Sequence, residues 1–404
     1  MKENFKDILG KRILIFDGAA GTMLQGRGLA AGEKPEMWSI NRPDDIVSLH
    51  GEYVAAGADI IKTNSFGANS LRFPDGGEYS VEQLVSAAVA CARKAADAAS
   101  KQVFVALDIG PLGKLIGDGE EMMDFEDAVS TFARTVNAGK SGADLVLLET
   151  FGDIAETRAA LIAVKENCDL PVVVTNVYGA DGRLFTGSDA AVVCTVLSGL
   201  GADAIGMNCS LGPRDMLGII PDIAASTALP IAVNPNAGLP RTDASGNTVY
   251  DVSPDEFADA MLKMAQSGAS LLGGCCGTTP EYIARLAEKV CGLGVVERKV
   301  EKRSIVTSAT RICEIGNERL TIIGERINPT GKPKFKDALR RGDIDYAVNE
   351  AHNEAAAGAD ILDVNVGLPE IDECAVLTEA VCRIQSVCDL PLQIDTALPS
   401  AMEA

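Results

Sequence analysis

One short pattern recurs along the chain. It is Gly-Ala-Asp or a close relative, then four or five apolar residues, then a polar side chain or a cysteine. It occurs at Gly57-Ala58-Asp59, Gly142-Ala143-Asp144, Gly201-Ala202-Asp203, Gly268-Ala269-Ser270 and Gly358-Ala359-Asp360. Glycine suits the position just after a helix, where the backbone turns left-handed. The apolar run behind it suits a strand buried on both faces. Between these runs lie stretches with helical spacing, such as Val81 to Ala99 and Phe125 to Lys140. Strand and helix in alternation imply a parallel sheet.

Strands are expected near residues 13–17, 59–64, 103–108, 145–149, 172–177, 204–208, 231–234 and 270–274. Eight strands in about 280 residues is the size of a (β/α)8 TIM barrel. A doubly wound sheet can also carry eight. The strand ends favour the barrel: Asp17, Thr63-Asn64, Asp108, Glu149, Asn176, Asn208-Cys209, Asn234 and Cys275-Cys276. In a barrel, all of these converge on one mouth. The barrel is assigned residues 1–294, with a helix from Pro280 to about Val290. The charged stretch 295–318 reads as a linker. A second α/β unit, 319–404, starts at Leu320-Thr321-Ile322-Ile323 and adds strands at Ile361–Asn365 and Pro391–Thr396. Three strands do not close a barrel, so the fold class is a TIM barrel followed by an incomplete second (β/α) barrel. The sequence is expected to be a piece of a longer polypeptide.

Composition excludes several classes. The formal charge of −21 argues against nucleic acid and anionic membrane as partners. The 11 cysteines follow no regular spacing, so no secreted disulfide framework is expected and a reducing cytoplasm fits better. No apolar run approaches the roughly 18 residues of a membrane span. The N-terminus lacks the apolar core of a signal peptide.

The chemistry centres on Gly273-Gly274-Cys275-Cys276-Gly277-Thr278. Adjacent cysteines do not readily bridge to each other, but they can hold a soft metal. Cys209, in Gly206-Met207-Asn208-Cys209, ends another apolar run and is the third candidate ligand. Three thiolates without a fourth protein ligand describe an open zinc site. The two histidines, His50 and His352, stand in no ligand motif. An iron–sulfur cluster would ordinarily show more local cysteine spacing.

Phe16-Asp17-Gly18-Ala19-Ala20-Gly21-Thr22, Gly206-Met207-Asn208-Cys209 and the double-cysteine motif together resemble the homocysteine-binding domain of zinc-dependent homocysteine S-methyltransferases. Gly324-Glu325-Arg326-Ile327-Asn328-Pro329-Thr330-Gly331, followed by Asp363-Val364-Asn365, resembles the pterin-binding domain of the cobalamin-dependent methionine synthase family. The two in this order look like the N-terminal half of such enzymes, and the likeness covers essentially the whole chain. It implies that zinc on Cys209, Cys275 and Cys276 binds homocysteine as its thiolate, which is then methylated to methionine. The methyl group would come from 5-methyltetrahydrofolate through methylcobalamin. No counterpart of the family's cobalamin domain is found in this sequence, so the corrinoid is expected on a missing domain or another protein.

The substrate's ammonium needs a carboxylate, and Asp17 and Glu149 are the candidates. Gly18 and the amides up to Gly21 are candidate donors to its carboxylate, as in anion-binding nests. Asn234 is expected to add a hydrogen bond, and Asp108 to position loops. In the second unit Glu325, Asn328, Asp363, Asn365 and Asp395 are candidates for the donor and acceptor edge of a pterin. Two other functions stay open: a homocysteine methyltransferase using a free donor such as S-methylmethionine or betaine, and a non-catalytic zinc or thiol-binding protein.

Overall fold

A computed structural model describes residues 3–117, 119–242, 248–316 and 319–403. The chain divides into two compact units, Met1–Val300 and Glu301–Ala404. In the first, eight parallel strands follow one another around a single sheet: β1 (Leu14–Ile15), β2 (Ile60–Lys62), β3 (Phe104–Ile109), β4 (Leu145–Phe151), β5 (Val172–Asn176), β6 (Ala204–Asn208), β7 (Ile231–Asn234) and β8 (Ala269–Leu272). β1 pairs with β8, and a Phe16–Ile60 bridge joins β1 to β2. Asp59 N donates to Ile15 O at 2.7 Å and Asp17 N to Ile60 O at 3.0 Å across that seam. The sheet is thus a closed TIM-type barrel. The expected helices run Val81–Asp97, Phe125–Gly139 and Pro280–Val290.

The recurring Gly-Ala-Asp has a structural role. Asp59 accepts a hydrogen bond from Ile15 N at 3.1 Å, Asp144 from Val105 N at 2.8 Å and Asp203 from Val172 N at 2.9 Å. Each of these aspartates also donates its own N–H to the carbonyl of the same partner residue. The motif therefore stands before each of β2, β4 and β6 and clamps the start of the preceding strand. At the start of β8 the aspartate's place is taken by Ser270, whose hydroxyl has no hydrogen-bond partner among the described residues. Lys101, Arg93 and Lys165 each pair with one of the three carboxylates.

Alternation sends Leu14, Phe16, Ile60, Phe104, Ala106, Leu145, Leu147, Val173, Ala204 and Ala232 into the barrel interior, where they form one buried cluster. The next inward positions towards the C-terminal mouth are Lys62, Asp108, Glu149, Thr175, Asn208 and Asn234, all buried. At Gly206 a Cβ would collide with the backbone of Ala232, so only glycine lets β6 and β7 approach so closely.

The second unit departs from the expectation of a bare linker. Residues 295–318 contain an antiparallel ribbon, β9 (Ser304–Thr307) with β10 (Ile312–Ile315). Ile305 pairs with Glu314, Val306 with Cys313 and Thr307 with Ile312, and the charges in and around these strands mask the strand pattern in the sequence. A three-stranded parallel sheet follows, with β12 (Ile361–Val364) between β11 (Ile323–Ile327) and β13 (Leu392–Ile394). Asp360 repeats the clamp, accepting from Ile322 N at 2.9 Å. Among the described residues no helix is long and apolar enough to cross a membrane.

Candidate metal and substrate site

Cys209 follows β6, and Cys275 and Cys276 follow β8. Their sulfur atoms all lie within 4.8 Å of one another, and among the described residues no other His, Cys, Asp or Glu joins the group. Backbone bonds fix each donor. Cys209 N donates to Asn234 O at 3.1 Å, Cys275 N to Pro235 O at 2.8 Å, and Cys276 N to Asn236 Oδ1 at 3.1 Å. Thr278 Oγ1 closes the loop on Cys275 O at 2.7 Å.

The described non-glycine residues at positive φ are Thr150 (72°), Cys209 (56°) and Ser210 (46°), and all three lie at this mouth. Such conformations cost about 1–3 kcal/mol each and persist only where the surroundings enforce them. Asn208 enforces one: its Oδ1 accepts from Thr150 N and its Nδ2 donates to Thr150 Oγ1, both at 2.8 Å. Ser210 Oγ holds another by donating to Tyr178 O at 2.9 Å.

The donor set fits a soft divalent cation. Hydrogen bonds among the three thiols act in opposite directions on each of them, and burial then leaves Cys209 pushed up to about 11 and Cys276 to about 12. Three thiolates this close need a cation to neutralise them. Zinc supplies that charge and accepts three-sulfur coordination with a position left open. The residues that would hold it are Cys209, Cys275 and Cys276.

Asp17 and Gly18 lie beside this cluster. Gly274 N donates to Asp17 O at 3.1 Å, and Ala19 N to Thr278 O at 3.1 Å. A Cβ at Gly18 would strike Thr278 and the Tyr53 ring, so glycine permits the two loops to meet. One of the amides expected to face a substrate carboxylate is therefore already engaged by Thr278. Asp17 Oδ2 accepts from Lys62 N at 2.9 Å, while Oδ1 has no hydrogen-bond partner. Burial pushes the Asp17 carboxyl up to about 7. Both side-chain polar atoms of Asn234 also lack partners. Unpaired buried polar groups are costly and mark places where something else completes the bonding.

Glu149 faces Lys62, whose Nζ lies 3.5 Å from Glu149 Oε2 and 4.0 Å from Asp17 Oδ1. Asp108 does more than position loops. Its backbone binds Thr63 and Ser65, but its Oδ1 is an unpaired buried atom in the same charged layer. Burial, then Glu149, raises its pKa well above the ordinary range. Sequence reasoning missed Lys62, and the available signal was a lysine closing the apolar run Ile60-Ile61. It also missed Tyr250, whose ring packs on Gly277 and which interacts with Cys276.

In the second unit Asn328, Asn365 and Asp395 stand just past the C-terminal ends of the strands, while Glu325 lies within β11 and Asp363 within β12. Asp363 Oδ1 accepts from Gln393 Nε2 at 2.6 Å, and Asn365 Nδ2 donates to Asp395 Oδ2 at 2.9 Å. Glu325 is exposed and takes Lys332 Nζ at 3.3 Å, and Asn328 Oδ1 accepts from Thr330 N at 2.9 Å. Gln393 and Lys332 had no sequence signal beyond their polarity.

A TIM-type barrel with three thiols gathered at its mouth defines a class of thiol-centred barrel protein. Residues 14–290 match the family described as homocysteine S-methyltransferase, and the chain belongs to that family. It is 31% identical over 98% of its length to the methionine synthase of Mycobacterium tuberculosis (strain H37Rv), and equally so to that of Mycobacterium leprae. It spans about a third, 35%, of either relative's own length. Among solved structures, the metallated form of the homocysteine methyltransferase MmuM from Escherichia coli matches with TM-score 0.59 and 26% identity. That match covers 69% of this chain and 96% of the bacterial enzyme.

Proposed function

We propose that the first unit is the homocysteine-activating module of a zinc-dependent methyl transfer that forms methionine. The observation that carries this reading is the convergence of Cys209, Cys275 and Cys276 within 4.8 Å beside the unpaired polar atoms of Asp17 and Asn234. Zinc on the three sulfurs supplies Lewis acidity, which favours the deprotonated form of a fourth, substrate thiol at neutral pH. The protein's own residues do the rest. The ends of β6 and β8 hold the sulfurs in place, and among the described residues no fourth His, Cys, Asp or Glu joins them. Asp17 Oδ1 and Glu149 receive the substrate ammonium, and Asn234 adds a hydrogen bond. Gly18 lets the Asp17 loop close against the cysteine loop, which brings Asp17 to the sulfur centre. The thiol centre works only in a reducing compartment, and the cytoplasm provides one.

For the methyl donor we favour 5-methyltetrahydrofolate acting through a cobalamin on another domain or protein. The alignment to the two methionine synthases spans 98% of the chain, so it includes the second unit. Asp360 repeats there the clamp of the first barrel, consistent with the start of a second (β/α) barrel. Glu325, Asn328, Asp363, Asn365 and Asp395 offer the donors and acceptors a pterin edge requires. The 96% coverage of the bacterial homocysteine methyltransferase by a match to 69% of this chain favours a second reading, with a free donor such as S-methylmethionine or betaine.

Metal analysis with a homocysteine titration tests the activity. One zinc per chain, proton release on binding and one added sulfur neighbour by X-ray absorption are expected. Zinc indifferent to homocysteine would instead make this a non-catalytic zinc-binding protein. Methyl transfer to homocysteine from added methylcobalamin, but not from S-methylmethionine or betaine, would decide the donor.

A further inference from the structure

The charged layer of the barrel mouth holds three carboxyl groups, Asp17, Asp108 and Glu149, and one ammonium, Lys62. The Lys62 side chain is 9% exposed. An ammonium has three protons to donate. The partners of this one among the described residues are Glu149 Oε2 at 3.5 Å and Asp17 Oδ1 at 4.0 Å. Charge-assisted bonds to a carboxylate ordinarily close to about 2.7–2.9 Å. The Lys62 ammonium is thus buried, charged and short of close acceptors. Burial works against its charge, but Glu149 and Asp17 outweigh that and hold its pKa well above the ordinary lysine value. Lys62 is also close enough to the cysteine cluster to feel Cys275 and to act on Cys276.

Resting on the homocysteine reading above, we propose that Lys62 is the anchor for the substrate's α-carboxylate. An α-amino acid brings one ammonium and one carboxylate into the mouth. The carboxylate side of the recognition is abundant here, since Asp17 Oδ1 and Asp108 Oδ1 both lack hydrogen-bond partners. The cationic side is Lys62, and the Ala19 amide of the adjoining glycine loop is already engaged by Thr278. With the substrate sulfur at the cysteines and its carboxylate on Lys62, the α-ammonium falls among the carboxyl groups of the same layer. The pocket then selects a zwitterionic amino-acid thiol over a thiol that carries an ammonium alone.

The test compares L-homocysteine with 3-aminopropane-1-thiol, which keeps the thiol and the ammonium but lacks the carboxylate. Binding of each to the full chain carrying zinc is measured by calorimetry. Wild-type protein is expected to favour homocysteine by about tenfold or more, the scale of one charge-assisted hydrogen bond. In Lys62→Met the preference should shrink to within about threefold, because homocysteine weakens and the analogue does not. Lys62→Gln, which keeps a polar group in the layer, should also reduce the preference, and it serves if the methionine variant does not fold. Equal wild-type affinities overturn the proposal, and so does an undiminished preference in a folded, zinc-loaded variant. Wild-type protein that binds neither thiol overturns the homocysteine reading itself, and this inference with it.

Discussion

At the residue scale, the site rests on side chains whose burial makes them hard to replace. Cys275→Ser removes one sulfur from a centre with no fourth protein donor among the described residues. Zinc affinity should fall by more than about tenfold, while the melting temperature of the zinc-free barrel stays within a few degrees of wild type. Metal content after gel filtration and a thermal melt check both halves. Full zinc retention in the variant would remove Cys275 from the ligand set. His50 is a buried residue of a different kind. Both ring nitrogens lack partners, and burial pushes its pKa down to about 4. The folded value lies below the unfolded one of about 6.5. Its contribution is therefore complete above pH 6.5 and lost as the pH falls towards 4. Asp17 and Glu156, both raised to about 7 by burial, act in the opposite sense over the same range. The comparison must therefore be between wild type and His50→Leu. From pH 7.5 to 4.5 the stability difference should move by about 2–3 kcal/mol in favour of the variant, read by urea denaturation. A constant difference would mean that His50 protonates without penalty in the fold.

At the scale of elements, the strand positions were legible because each is a short apolar run, and those of β2, β4, β6, β8 and β12 follow a helix-ending glycine. β3 to β7 lie within a residue or two of their expected bounds. The aspartate in the recurring motif carried information that hydrophobicity does not express. It accepts the N–H of the neighbouring strand, and that partner becomes visible only once the strands are paired. The three cysteines were legible by type and by position at strand ends. Lys62 was not, because a lone lysine after an apolar run is ordinarily a strand leaving the core, and closure of the barrel is what buries this one. The β9–β10 ribbon was hidden by Arg303, Arg311 and Glu314, charges that read as linker although Arg303 and Glu314 pair across it at 3.4 Å. The clamp makes its own prediction. Asp203→Ala leaves Val172 N without its acceptor and removes the pairing to Lys165, so it should cost about 2 kcal/mol. Asp203→Asn, which keeps an acceptor for Val172 N, should recover part of that loss in chemical denaturation. Equal losses in both variants would assign the effect to the ion pair instead.

At the scale of the whole molecule, the two units differ in how their sheets end. The barrel closes on itself through the Phe16–Ile60 bridge, which leaves its strands without a free edge. In the second unit β11 and β13 each pair, among the described residues, with β12 alone. Leu320, Ile322 and Ile323 at the start of that sheet are 82%, 51% and 45% exposed. Open edges and exposed apolar side chains give lower local stability, because fewer contacts must break for an amide to open. Hydrogen exchange should therefore find β11–β13 opening with a free energy at least about 3 kcal/mol below that of β3–β6, a difference of roughly a hundredfold in protection. Limited proteolysis should cut within residues 320–404 before it cuts within residues 11–290. Equal protection across both units would show that the edges of the second sheet are covered, and the explanation would then lie in what covers them.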